Sequence, residues 1–222
     1  MSENTTADLT PAEQRNADPD RLVVLTDGVI AIIITILVLD IRVPELGSGQ
    51  SLAESLTEVR PTFVSFVISF LLVGMFWTLH RQTFNQVRYI DHNAIWLNLL
   101  FLLFLSLVPF ASSTLGEYST EPMALHLYGV VLIAASLLRI ALNAYFQTHP
   151  GLLWQKSSKD SRRLIGITTS APIVVYLLAM VAANWSTTLS LVLYFSIPLL
   201  YFAAVALINA DPRTKAVGED MS

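Results

Sequence analysis

Cysteine is absent from this 222-residue sequence, and charged side chains are scarce. Without cysteine the chain can form no disulfide, no thiolate metal site and no thiol nucleophile. Charged residues make up 14% of the chain and hydrophobic ones 54%, whereas a soluble domain carries about 25% charged residues. The formal charge of −4 does not suggest a nucleic-acid partner. The composition therefore indicates a protein whose main solvent is lipid.

Six apolar runs are close to the roughly 20 residues that a helix needs to cross a bilayer. They are Leu22–Val43, Pro61–His80, Ala94–Leu115, Met123–Gln147, Leu164–Ala183 and Thr187–Ile208. The sequence predicts an all-α membrane protein with six transmembrane helices in residues 19–210, between polar tails at 1–18 and 211–222. Because residues 1–20 contain no apolar core, we expect no removable signal peptide and an uncleaved first helix that directs insertion.

The basic residues alternate strongly between the two sides of these predicted helices. Of the 13 Lys and Arg, ten fall on the side of the termini, Arg42 and Arg60 fall on the opposite side, and Arg139 lies within the predicted fourth span. Because loops rich in Lys and Arg stay in the cytoplasm, both termini are predicted to be cytoplasmic, with the protein in the inner (plasma) membrane.

Ionisable groups at membrane depth are costly, so each of them is a functional candidate. Asp27 lies near the start of the first predicted helix, and we expect it to be a buried anchor rather than an ion ligand. Its candidate partners on the same side are Arg21, His80 and Asn98, which together would form a network that holds the first helix. Arg139 is interpreted as a bundle-facing or snorkelling group, because a lone Arg makes a poor voltage sensor.

One stripe of the first helix is almost entirely apolar. At about 100° per residue, Gly28, Ile32, Thr35, Ile36 and Leu39 share a face, and Thr35 carries its only hydroxyl. Such a stripe is usually a packing or lipid-facing surface. If several copies of the helix converged on one axis, the same residues would form apolar rings able to stop ions by dewetting. Both interpretations are compatible with the sequence.

Enzymatic function is not predicted. The membrane spans contain no Ser/His pair, no HExxH motif and no paired Asp motif, so no catalytic residue and no metal ligand is assigned. Two other functions remain as alternatives: a proton-coupled secondary transporter that uses Asp27 and His80, and a non-conducting membrane scaffold.

The first half of the sequence contains a set of distinctive segments. They are Arg21-xxx-Leu25-Thr26-Asp27-Gly28, the apolar run from Ala31 to Ile41, Phe76-Trp77-xx-His80, Asn98-xx-Phe101-Leu102 and Pro109-Phe110. These segments resemble the transmembrane protein 175 family of potassium channels, whose pattern Arg-xxx-Phe-Ser-Asp is matched with Leu and Thr in place of Phe and Ser. The second half agrees in hydropathy and length.

This resemblance implies a homotetramer in which helix 1 lines a central pore, with K⁺ as the permeant ion and no cofactor. Monovalent cations, the lipid bilayer and further copies of the chain are then its partners. The implied pore residues are Ile32, Thr35, Ile36 and Leu39. The implied structural network contains Arg21, Thr26 and Asp27, to which the membrane-depth argument adds His80 and Asn98.

Overall fold

The computed structural model describes residues 19–42, 51–154 and 159–210, without the side chains of 159–169 and 208–210. The predicted tails at 1–18 and 211–222 lie outside the described residues. The helices are α1 (Pro19–Ile36), α2 (Leu52–Glu58), α3 (Arg60–Phe84), α4 (His92–Leu105), α5 (Val108–Glu117), α6 (Pro122–Thr148), α7 (Lys159–Ala183) and α8 (Thr187–Ala210). This architecture confirms the prediction of an all-α membrane protein.

Five helical segments of the described residues are long and apolar enough to cross a membrane. They are Pro19–Asp40, Arg60–Phe84, His92–Glu117, Pro122–Thr148 and Thr187–Leu207. The sixth predicted span, Leu164–Ala183, coincides with α7, whose part from Ser170 to Ala183 forms a shorter apolar helix. Six transmembrane helices therefore remain a prediction, and five are supported by length and hydropathy.

Helix α6 lies at the centre of the bundle and contacts α4, α5, α7 and α8. Half of its most apolar window is buried, against 28% for α1, which packs mainly on α3 and α4. The core contains a few polar groups, which must be paired because lipid cannot pair them. The Ser69 hydroxyl donates to Ser112 Oγ (2.8 Å) and lies 2.9 Å from the hydroxyl oxygen of Tyr128, which ties α3 to α5 and α6.

The third predicted span, Ala94–Leu115, is not one continuous helix. Helix α4 ends at Leu105 and α5 begins at Val108. The cause is Pro109, which lacks a backbone N–H and whose ring would collide with the carbonyl of Leu105 four residues earlier. The side chain of Ser106, in the gap, donates to the carbonyl of Leu103 at 2.8 Å. The predicted span therefore coincides with one apolar segment, His92–Glu117, that is interrupted before Pro109.

The connection that follows α3 is hydrogen-bonded to the connection that follows α6. Val87, after α3, pairs with Leu153, after α6, in an isolated antiparallel bridge. Both side chains belong to a second apolar cluster with Leu22, at the start of α1, and Phe146, near the end of α6. This cluster fixes the first turns of α1 against the rest of the bundle.

The short helix α2 was not predicted. It begins with a capping box, in which the amide of Glu54 donates to Ser51 Oγ and the amide of Ser51 donates to the Glu54 carboxylate (2.8 Å). The hydrogen bonds from Ser51 lower the pKa of Glu54. The motif Ser-x-x-Glu in the sequence is the signal that indicates this helix start.

Candidate functional site

Helix α1 has two contrasting faces. The buried face carries Leu22, Thr26, Ile30, Ile33 and Leu37, which recur every three or four residues and pack into the bundle. The opposite face carries the five residues of the predicted stripe, and all of them are exposed: Gly28, Ile32, Thr35, Ile36 and Leu39. The fold of one chain therefore leaves the stripe free to contact lipid, another chain or a pore.

The exposed stripe is wide and apolar. Ile32 is 58% exposed and Leu39 is 66% exposed, although both are large hydrophobic side chains. The Thr35 hydroxyl donates back to its own helix, where it lies 3.0 Å from the carbonyl oxygen of Ala31 and 2.9 Å from that of Ile32. Its hydrogen is thus used internally, and the oxygen keeps its lone pairs for another group.

On the buried face of α1, three side chains are linked in series by hydrogen bonds. His80 Nε2 on α3 lies 2.8 Å from Asn98 Oδ1 on α4. Asn98 Nδ2 donates to Thr26 Oγ1 on α1 (2.9 Å), and the Thr26 hydroxyl donates to the carbonyl of Leu22 (2.9 Å). The His80–Asn98–Thr26 chain therefore joins three helices, with His80, Asn98 and Thr26 each at most 1% exposed.

The imidazole of His80 is also held by two aromatic rings. Its ring stacks on that of Phe84, with centroids 4.4 Å apart, and is nearly parallel to that of Phe101 at 5.6 Å. Nε2 faces Asn98, while Nδ1 has no hydrogen-bond partner in the described part of the chain. The stacking fixes the plane of the imidazole, and the plane in turn aims Nε2 at Asn98.

Asp27 has a different partner from those that the sequence suggested. Its carboxylate accepts a hydrogen bond from Trp77 Nε1 on α3 at 2.8 Å, and the Arg81 guanidinium lies 5.4 Å from the centre of the same indole ring. Arg21 is exposed. The structure thus brings Thr26, His80 and Asn98 together and places Asp27 beside them in a separate contact with Trp77.

Trp77 and Arg81 are the contributors that sequence reasoning missed. Trp77 lies near a predicted span end, where indoles commonly anchor a helix at the membrane surface, and the sequence analysis gave it no contact with Asp27. The spacing in the sequence could have indicated this role. Trp77 precedes His80 by three residues, so the two side chains lie on the same face of one helix.

Arg139 lies inside the bundle, as one of the two interpretations of the sequence expected. It is 4% exposed and is near the phenols of Tyr176 on α7 and Tyr201 on α8. Its Nε has no hydrogen-bond partner within the described ranges. Among the same residues, no group of three or more His, Asp or Glu side chains could hold a metal ion.

These features define an all-helical membrane protein in which α1 is hydrogen-bonded to α3 and α4, while its opposite face is exposed. The family model described as "Endosomal/lysosomal potassium channel TMEM175" matches residues 21–109. A potassium channel of Chamaesiphon minutus is 30% identical over 192 residues, covering 84% of this chain and 94% of that protein. A potassium channel of Streptomyces collinus is 37% identical over 121 residues, and the match spans 53% of this chain and 59% of that channel.

The fold agrees with these sequence similarities. The crystal structure of a lysosomal potassium-selective channel TMEM175 homolog from Chamaesiphon minutus matches with a TM-score of 0.70 and 27% identity, over 83% of this chain and 96% of that one. The chain belongs to the transmembrane protein 175 family, a family of ion channels and not of enzymes. The resemblance predicted from the sequence is confirmed.

Proposed function

We propose that this chain is a potassium-permeable channel in which α1 from four identical subunits surrounds the conduction path. The observation that carries the proposal is the stripe of α1, which remains exposed after the chain has folded. In a family of ion channels, an unburied apolar helix face held in a fixed orientation is suited to line a pore. The homotetramer comes from the family resemblance.

Conduction would then depend on stacked rings contributed by the four copies. Ile32, Ile36 and Leu39 would form apolar rings that resist wetting, and Thr35 would place hydroxyl oxygens between them. A potassium ion would pass partly dehydrated. Selectivity over sodium should be modest, because a few hydroxyl oxygens replace a hydration shell less completely than rings of backbone carbonyls.

The buried network would hold the pore helix at the required angle. The His80–Asn98–Thr26 chain and the Asp27–Trp77 bond both act on the cytoplasmic half of α1 in the proposed topology. Loss of either should therefore disturb assembly before it changes ion selectivity. The excess of basic residues on the side of the termini supports a plasma-membrane protein with both ends in the cytoplasm.

Flux measurements on purified protein in liposomes test the pore. Ile32→Asn should wet the constriction and raise K⁺ flux, and Thr35→Ala should change the K⁺/Na⁺ ratio. Leu137→Asn is the matched control, because Leu137 is a similar apolar side chain, 52% exposed, on α6 instead of α1. If Ile32→Asn and Thr35→Ala both behave like the control, α1 does not line the conduction path.

The same liposomes distinguish the alternatives. A transporter would give saturable flux coupled to protons, and a scaffold would give none. In the structure the two proposed proton carriers have different hydrogen-bond partners, since Asp27 bonds to Trp77 and His80 bonds to Asn98. Flux that rises linearly with concentration, independent of a proton gradient, is the result expected of the channel.

A further inference from the structure

A continuous groove runs between α3 and α8, starting where both helices begin. Its deeper part has a volume of about 290 Å³ and is lined only by apolar side chains: Phe63, Val64, Val67, Leu191, Val192 and Phe195 are among them. Phe63 and Val192 are more than half exposed, so the groove opens sideways to the surrounding lipid. It extends over about eight residues of helix, or roughly 12 Å.

The entrance of the groove carries one arginine and several hydroxyl groups among its apolar lining residues. An adjoining cavity of about 240 Å³ shares Val64 and Leu191 with the deeper part and is lined by Arg60, Thr187 and Thr188, and by Ser119 and Thr120 of the α5–α6 connection. Arg60 is the first residue of α3 and Thr187 is the first of α8. The positive dipole ends of both helices therefore lie at this entrance.

An exposed tryptophan near the entrance indicates that this end of the groove is at the level of the membrane surface. Trp185, two residues before α8, is 81% exposed, and exposed indoles prefer the boundary between lipid and water. A molecule that fits this site has a negatively charged head at the boundary and a hydrocarbon tail that follows the helices inward. Phosphate groups bind well to a guanidinium, hydroxyls and helix N-termini in combination.

We propose that this groove binds an anionic phospholipid, with its phosphate at Arg60, Thr187 and Thr188 and one acyl chain between α3 and α8. The lipid comes from the leaflet on the side where α3 and α8 begin, which is the outer leaflet in the proposed topology. A second copy of the chain is the alternative occupant, and the experiment below distinguishes it from a lipid. The site is separate from α1, so the lipid proposal does not depend on the pore.

Native mass spectrometry of the purified full-length protein, titrated with phosphatidylglycerol or phosphatidylcholine, tests this proposal. Phosphatidylglycerol should bind more tightly, and Arg60→Gln should weaken it on the order of tenfold because a charge-assisted contact is lost. Arg42→Gln is the matched control, since Arg42 is an exposed arginine predicted on the same membrane side and is not part of the groove. Val192→Trp should fill the groove and weaken binding of both lipids.

Three results would overturn the proposal. Arg60→Gln and Arg42→Gln could have equal effects, which would mean that Arg60 has no special position. Inorganic phosphate alone could bind as tightly as phosphatidylglycerol, which would leave the apolar groove without a function. Val192→Trp could change the oligomer mass and leave lipid binding intact, which would make the groove a contact between subunits. Unchanged ion flux in Arg60→Gln is compatible with the lipid site and leaves the channel proposal standing.

Discussion

Asn98 connects α1 to the bundle through a single side-chain amide. Its oxygen faces His80 and its nitrogen donates to Thr26, and both partners are buried. Asn98→Leu keeps the size of the side chain but leaves a ring nitrogen and a hydroxyl without this partner. We expect a loss of about 1–3 kcal/mol in the free energy of unfolding, measured by SDS titration in mixed micelles.

Asn93→Leu is the control for this substitution. Asn93 lies on the same helix and donates to the Tyr145 hydroxyl at 3.3 Å, but it is exposed. Its replacement should lower the free energy of unfolding by less than about 0.5 kcal/mol, as surface substitutions usually do. Equal losses for the two leucine variants would show that the buried chain of hydrogen bonds contributes nothing beyond a surface contact.

The polar network shows what residue types alone can predict. The cost of polar groups in lipid was enough to select Asp27, His80 and Asn98 as a group on one side of the membrane. It could not assign pairs, because the direction of each side chain depends on helix rotation and on packing. The plane of His80, for example, is set by Phe84 and Phe101, which carry no polar signal in the sequence.

Among the helices, α6, α7 and α8 approach closely at Gly129. A Cβ atom added there would lie 2.4 Å from the Tyr194 hydroxyl oxygen and 2.5 Å from Met180 Cγ. Tyr194 cannot turn away freely, because its hydroxyl donates to the carbonyl of Leu125 at 3.0 Å. Gly129→Ala should therefore separate the three helices and destabilise the protein by about 1–3 kcal/mol, measured by the same SDS titration.

Gly74→Ala serves as the comparison, since a Cβ atom there would have only Phe202 nearby, at 4.0 Å. It should be neutral or slightly stabilising, because alanine favours a helix more than glycine does. If both alanine variants unfold at the wild-type SDS concentration, the close packing around Gly129 does not contribute to stability.

Helix positions were more predictable than helix interruptions. Hydropathy located five helical segments correctly, because a helix that crosses the bilayer needs a long apolar run regardless of how it packs on its neighbours. The gap before Pro109 and the short helix from Leu52 depend on local backbone chemistry, which a hydropathy window averages out. A proline inside a span need not end a helix either, since α7 and α8 continue through Pro172 and Pro198.

At the scale of the whole molecule, one chain leaves much of its apolar surface uncovered. Leu200 on α8 is 68% exposed and Met123 on α6 is 76% exposed, and both values exceed that of Ile32. Exposure alone therefore cannot separate a pore face from a lipid face, and neither could the sequence. Only the arrangement of several chains decides this, which is why the proposal that α1 lines the pore combines the exposed stripe with membership of an ion-channel family.

The orientation of the whole chain can be tested because the natural sequence has no cysteine. A single introduced cysteine is then the only thiol in the protein. Thr120→Cys, in the α5–α6 connection, should react with a membrane-impermeant maleimide on intact cells, because the proposed topology places it outside. Asn85→Cys, in the turn after α3, should react only after the membrane is permeabilised. Both positions are exposed, so accessibility within the fold does not limit either reaction.

The cysteine-free wild type controls for labelling of other side chains, and a permeant maleimide controls for expression of each variant. The reverse pattern, with Asn85→Cys labelled on intact cells and Thr120→Cys protected, would place the termini outside and move the α3–α8 groove to the cytoplasmic leaflet. Labelling of both positions on intact cells would mean that α4 and α5 do not cross the membrane as one span. Protection of Asn85→Cys alone is the result expected from the ten basic residues on its side.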